Sequence, residues 1–242
     1  MTSDSREQTS DSTADAAAGA FSGDSEGEPR RKRWSQPLPP HFSLLRSFTP
    51  ADFVTLLNAA SGVCSIFASF DYAVSRQAGY AGAAAALVVV AALADFFDGR
   101  IARRSTRSST LGGDLDSLAD LISFGVAPAC LAFGMGMNGG WDWPVLVFFV
   151  CCGLSRLARY NVTAEQLAGD ESGKVRYFEG TPIPTSVVLV LILAGLLAAG
   201  RVGVELPLGE VQLGFAKLHP LVLIYFLSGC AMVSARLRVP KP

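Results

Sequence analysis

Hydrophobic positions in this chain are gathered into long runs, all of them beyond residue 50. A run of roughly 20 helical residues spans a hydrocarbon layer of about 30 Å. Runs of that kind lie near 53–71, 79–97, 113–134, 143–160, 184–200 and 219–235 and predict six transmembrane helices. The first, Phe53 to Phe70, is interleaved with Asn58, Ser61, Gly62, Ser65 and Ser69, which suits a helix packed inside a bundle. The second carries Ala83 to Ala86, small side chains that let helices approach closely in lipid. Residues 1–40 show the opposite pattern, polar and without periodicity, and exit through Pro37, Pro39 and Pro40; they read as a disordered tail. The expected fold class is therefore an all-α integral membrane protein of about six transmembrane helices. A polar N-terminal tail over 1–40 precedes a membrane domain over 41–242.

Charge sharpens this division. Half of the 242 residues are hydrophobic and 17% are charged, with a mean hydropathy of +0.36. Residues 1–50 alone hold seven of the 21 acids and six of the 20 bases. The remainder is too apolar to surround a core with a charged shell, which excludes an ordinary water-soluble enzyme. Six spans put both termini on one side, together with the 98–112 and 156–183 loops. That side then carries 17 of the 20 Lys and Arg, leaving Arg76, Arg201 and Lys217 opposite, and the excess of bases makes it cytoplasmic. Arg30 to Arg33 are placed where they can meet anionic headgroups or simply stay solvated. The sequon Asn161-Val162-Thr163 falls on the cytoplasmic side and reads as chance.

Several chemistries drop out. The five cysteines sit in apolar runs without C-x-x-C spacing, so they read as buried small hydrophobes rather than a disulfide framework or zinc site. His41 and His219 are far apart and lack partners at ligand spacing. The polar, acidic start fits neither a cleaved signal peptide nor a transit peptide. A phosphate-binding loop fails around Gly169 and Gly173-Lys174, where three residues separate the glycines and four are needed.

What remains is a cluster of acids at a membrane edge. Asp95 and Asp98 are three residues apart at the end of the second run, and Asp116 and Asp120 four apart at the start of the third. On helices each pair shares a face, and an antiparallel hairpin brings all four together. Four carboxylates in a low-dielectric site raise one another's proton affinity unless something compensates them. Hard divalent cations such as Mg²⁺ or Mn²⁺ suit oxygen ligands. Between the pairs lie the small residues Gly99, Ala102 and Gly112, and Arg100, Arg103, Arg104 and Arg107 offer charge for phosphate. Metal-binding acids beside arginines at a lipid–water boundary point to chemistry on a phosphate-bearing lipid. A transporter's cation path, the reading from another class, calls for acids distributed across the bilayer, whereas these sit at one depth.

The pattern Asp95-x-x-Asp98-Gly99-x-x-Ala102-Arg103, eight residues, Gly112-x-x-x-Asp116-x-x-x-Asp120 resembles, without a gap, the signature of the CDP-alcohol phosphatidyltransferases. Three further stretches resemble the serine-using, phosphatidylserine synthase branch of that family. They are Leu115 to Asp120 with Ile122 to Ala129, Leu154 to Val162, and Tyr177 to Pro184. His219-Pro220-Leu221 and Val239 to Pro242 look most like its fungal-type members, although Asp114 stands where that type has Glu. The likeness covers roughly 45–242.

The resemblance implies transfer of a phosphatidyl group from CDP-diacylglycerol to L-serine, giving phosphatidylserine and CMP. Sister enzymes use inositol or glycerol phosphate instead, and the four bases of the 154–184 stretch are few for a phosphorylated acceptor. Asp95, Asp98, Asp116 and Asp120 would bind two divalent ions, Mn²⁺ or Mg²⁺, with Asp120 as ligand or as the base that takes the serine hydroxyl proton. Asn58, Asp98, Gly99, Ala102, Arg103 and Gly112 would bind CDP-diacylglycerol, and Arg156, Arg159, Asn161 and Glu179 the serine. The family also suggests a homodimer. The membrane expected is that of the endoplasmic reticulum in a eukaryote, or the inner membrane in a bacterium.

Overall fold

A computed structural model of the chain describes residues 50–102, 110–168, 177–179, 181–234 and 238–240. The tail expected over 1–40 lies outside the described residues. Helix α1 (Pro50–Ser75) and α2 (Ala78–Ala102) form an antiparallel pair, followed by α3 (Thr110–Asp120) and α4 (Ala127–Gly134). Then come α5 (Asp142–Ala168), α6 (Val187–Ala198) and α7 (Leu223–Val233). Among the described residues, four stretches are long and apolar enough to cross a membrane: Asp52–Ser75, Ala78–Arg100, Gly112–Gly134 and Asp142–Thr163. They coincide with the first four predicted runs, although α5 continues past its expected end to Ala168. The fifth and sixth runs form the shorter apolar helices Ile183–Ala198 and Pro220–Val233.

Helices α1 and α2 meet through small and polar side chains. The inward stripe of α2 is Ala81, Ala84, Ala85, Val88 and Ala91, all buried, and α1 meets it with buried Ser61, Ser65 and Ser69. Small side chains let the two backbones close up, so the Ser65 hydroxyl donates to the Ala84 carbonyl at 2.8 Å. Large apolar side chains such as Phe67, Phe70, Leu93 and Val147 are more than half exposed on the outside. An apolar exterior of this kind is what a lipid environment selects. The five cysteines are all free; Cys152 is buried, but Cys64, Cys151 and Cys230 lie exposed among these outer side chains.

The third span contains a local irregularity with a visible cause. Pro128 has no N–H to give and its ring collides with the carbonyl four residues back. Helix α3 therefore widens into a π-turn over Leu121–Val126, where the Ala127 N–H reaches the Ile122 carbonyl, before continuing as α4. The turn lies against α1, with the Ser123 hydroxyl donating to the Asn58 carbonyl at 3.0 Å. A β-carbon at Gly62 would collide with Ser123, so glycine is what permits this approach. Helix α5 packs on α7 through Phe149 and Tyr225, edge to face at 5.1 Å, and the Tyr225 hydroxyl donates to the Pro128 carbonyl at 3.0 Å.

Two short ribbons depart from the purely helical expectation. Strand β1 (Tyr177–Glu179) pairs antiparallel with β4 (Arg238–Pro240), and β2 (Val211–Leu213) with β3 (Ala216–Leu218). The second is a hairpin whose two-residue turn, Gly214-Phe215, uses a positive φ of 62° at Gly214. Both lie outside the four long apolar spans, where a helix is not the only way to satisfy backbone groups.

Candidate functional site

Three helices converge on the acids. Asp95 and Asp98 sit three residues apart near the end of α2, on one face, and Asp116 near the start of the antiparallel α3. One carboxylate oxygen from each of these three lies within 4.8 Å of the other two. Asp120, one turn further along α3, stands outside that group but within electrostatic reach of all three.

Helix α1 holds the cluster from behind. The Thr55 hydroxyl donates to Asp98 Oδ2 at 3.0 Å, and Asn58 Nδ2 donates to Asp120 Oδ1 at 3.1 Å. Thr55, Asn58, Asp98 and Asp120 are all buried. Because Asn58 also takes the Ser123 hydroxyl on its backbone carbonyl, one residue ties the π-turn and Asp120 to α1 together. Among the described residues no lysine or arginine forms an ion pair with any of the four acids. Asp116 Oδ1 and Asn58 Oδ1 are buried without a hydrogen-bond partner. Buried acceptors are normally satisfied, so oxygens left over beside three further carboxylates mark a place built for something positively charged. An all-oxygen donor set fits Mg²⁺ or Mn²⁺ and not a thiolate-seeking metal.

The remaining sequence-predicted residues are placed unevenly. Gly99 adjoins open space where its β-carbon would be, and Gly112 is partly buried at the start of α3. Ala102 ends α2, and Arg103 lies outside the described residues. Arg156, on α5, is half-buried and within electrostatic reach of Asp120, and its Nε is buried without a partner. Arg159, three residues on, is exposed. Asn161 ties α5 to α3, accepting from the Ser117 hydroxyl at 2.9 Å and donating to Asp114 at 3.4 Å. Glu179 lies on β1, opposite Arg238 of β4. The sequence reading did not single out Thr55, Ser117 or Ser123. Each is a small hydroxyl residue whose partner is dozens of positions away, so spacing along the chain carries no signal of the pairing.

Comparison with known proteins follows the same outline. The CDP-alcohol phosphatidyltransferase family model matches residues 48–226. The chain is 45% identical over 206 residues to the CDP-diacylglycerol–serine O-phosphatidyltransferase of Saccharomyces cerevisiae, covering 84% of this chain and 74% of that protein. It is 37% identical over 143 residues to the archaetidylserine synthase of Methanothermobacter thermautotrophicus, covering 57% and 54%. It is 39% identical over 145 residues to the CDP-diacylglycerol–serine O-phosphatidyltransferase of Helicobacter pylori, covering 58% and 56%. The alignment thus spans about half the length of the archaeal and bacterial relatives and three quarters of the yeast one. With the family model matching well over half of its residues, and the acids of its signature gathered at one end of three packed helices, the chain belongs to the CDP-alcohol phosphatidyltransferase family.

Proposed function

We propose that this protein is a CDP-diacylglycerol–serine O-phosphatidyltransferase, forming phosphatidylserine and CMP from CDP-diacylglycerol and L-serine. The observation that carries the reading is the group formed by Asp95, Asp98 and Asp116 on a chain 45% identical to a yeast enzyme of that name.

In the proposed reaction the serine hydroxyl attacks the phosphorus that bears the diacylglycerol. A P–O bond to serine forms, the anhydride P–O bond breaks, and CMP leaves with the electron pair. A hydroxyl is a weak nucleophile until a base accepts its proton, and the Asp120 carboxylate, oriented by Asn58, is the group proposed to take it. Asp95, Asp98, Asp116 and Asp120 would together hold two divalent ions, Mg²⁺ or Mn²⁺. Such ions neutralise charge growing on a pyrophosphate under attack. Gly99 leaves room for the nucleotide, with Asp98, Asn58, Ala102, Arg103 and Gly112 proposed around it. Arg156 is proposed to take the serine carboxylate, because it is a half-buried arginine with an unused Nε within electrostatic reach of Asp120, and Glu179 the ammonium. Exposed Arg159 and the α3-bonded Asn161 are assigned to the outer edge of that pocket.

The same reading includes six spans with both termini cytoplasmic, a membrane domain over 41–242 behind a polar tail over 1–40, and a homodimer. In a eukaryotic cell it would reside in the endoplasmic reticulum membrane. The test is release of CMP from CDP-diacylglycerol by the purified chain with Mn²⁺ or Mg²⁺. Release that depends on serine and is not supported by inositol or glycerol phosphate is expected. Equal release with any acceptor, or none with serine, defeats the assignment.

A further inference from the structure

At the ends of the helices remote from the carboxylates, a cavity of about 970 Å³ opens between the end of α1, the turn before α5 and the β2–β3 hairpin. Nothing in the proposed reaction uses it, yet Arg76, Lys217, Glu210 and His219 line it. We propose that this cavity binds a phosphate group, held by Arg76 and Lys217, as a site separate from the carboxylate cluster.

The first support is Arg76 itself. It follows the last residue of α1 and adopts a φ of +57°, the left-handed conformation for which glycine is the usual residue at a helix end. A β-carbon there is crowded, so arginine holds this conformation against its local preference. Of its five N–H donors the structure records one in use, Nη1 to the Gly134 carbonyl at 3.2 Å, and no carboxylate among the described residues pairs with it. A planar fork with spare donors suits a phosphate.

Lys217 supplies the second charge. It pairs with Glu210 at 2.8 and 2.9 Å, and both side chains are about half exposed. An exposed pair of this kind contributes little and is readily exchanged for a stronger anion.

The wall between them is fixed in place. Asp142, wholly buried, accepts from the Gly139 N–H at 2.8 Å, the His219 N–H at 2.9 Å and His219 Nδ1 at 2.5 Å. This locks the glycine turn onto the hairpin, and a β-carbon at Gly139 would strike the Lys217 carbonyl. At the opening, Phe215 is 89% exposed, and the Trp141 ring lies 5.5 Å from it. Exposed apolar and aromatic side chains at helix ends belong at the headgroup level of a bilayer. The phosphate can therefore come from a lipid headgroup or from solution.

The test uses the full-length chain in detergent, saturated with CDP-diacylglycerol so that the carboxylate site is occupied. It is titrated with dioleoylphosphatidylglycerol and, separately, with inorganic phosphate, and bound species are read by native mass spectrometry. One further bound phosphate group per chain is expected, with affinity falling roughly tenfold or more in Arg76→Gln and Lys217→Gln while CDP-diacylglycerol turnover is unchanged. Binding of the lipid alone assigns a headgroup site, and equal competition by inorganic phosphate a free-anion site. Arg76→Gly separates this role from a structural one, because it removes the guanidinium and the left-handed strain together. Loss of binding with an unchanged or higher melting temperature is expected. A lower melting temperature with binding intact, or affinities equal across wild type and variants, overturns the proposal.

Discussion

Arg156 gives the sharpest test of the acceptor pocket. It is half-buried on α5, it feels the charge of Asp120, and its Nε is buried with no partner. A buried donor left unmade costs about 1–3 kcal/mol, so this position stabilises the protein only when a ligand completes it. The serine carboxylate is the proposed complement. Arg156→Lys keeps the charge but replaces a planar, two-pronged donor with a point charge. If one charge-assisted hydrogen bond is lost, at about 1.5–3 kcal/mol and 1.36 kcal/mol per decade, KM for serine rises roughly 10- to 100-fold. The assay is incorporation of labelled serine into lipid in mixed micelles, varying serine at saturating CDP-diacylglycerol and then the reverse. Arg159→Lys is the internal comparison: it is exposed, three residues further along the same helix at the outer edge of the pocket, and should raise KM for serine less than Arg156→Lys does. Equal rises in KM for both substrates, or a larger effect at Arg159, would refute the assignment of Arg156 to the acceptor.

Four further outcomes are expected. Asp116→Asn, which keeps the shape but removes a ligand charge, should abolish turnover and lose Mn²⁺ binding by electron paramagnetic resonance, with membrane insertion intact. Thr55→Val should weaken Mn²⁺ binding about 10- to 100-fold, the usual effect of removing a hydrogen bond behind a ligand, because Asp98 loses the Thr55 hydroxyl that donates to it at 3.0 Å. Gly62→Val should lower stability by about 1–3 kcal/mol, measured by thermal unfolding in detergent, since the new β-carbon meets Ser123. Deleting residues 1–40 should leave turnover in detergent unchanged, because every proposed site residue lies beyond them; loss of folded protein would make that segment structural.

How much of this could be read from the chain follows from sequence distance. The helical runs were legible because hydrophobic length is a local property, and the four longest emerged where expected. The acids were legible because both pairs flank a single hairpin, so helical spacing and one reversal bring them together. The hairpin at 211–218 was not, since Val-Gln-Leu-Gly-Phe-Ala-Lys-Leu is too short and mixed to separate from a loop. Neither was the widened turn at 121–126, although Pro128 in an apolar run was its signal. Choosing between Arg156 and Arg159 required knowing which way α5 faces, and two arginines three residues apart on one helix share a face, so their spacing alone does not separate them.

The least legible part of the site is also what makes it a site. Thr55 is 43 positions from Asp98, and Asn58 is 62 from Asp120, so no motif spacing could report these pairs. Yet without them Asp98 and Asp120 would lose the side-chain donors that hold their carboxylates in place. Helix α1 carries none of the signature acids. Its serines let α2 approach, Gly62 lets the π-turn approach, and the two approaches set Thr55 and Asn58 behind opposite halves of the cluster. The small and polar residues that look like weakness in a membrane span are therefore the means by which packing becomes positioning. Enlarging any of them should separate the two acid pairs before it unfolds the helices, so that ion binding fails at a lower temperature than secondary structure does.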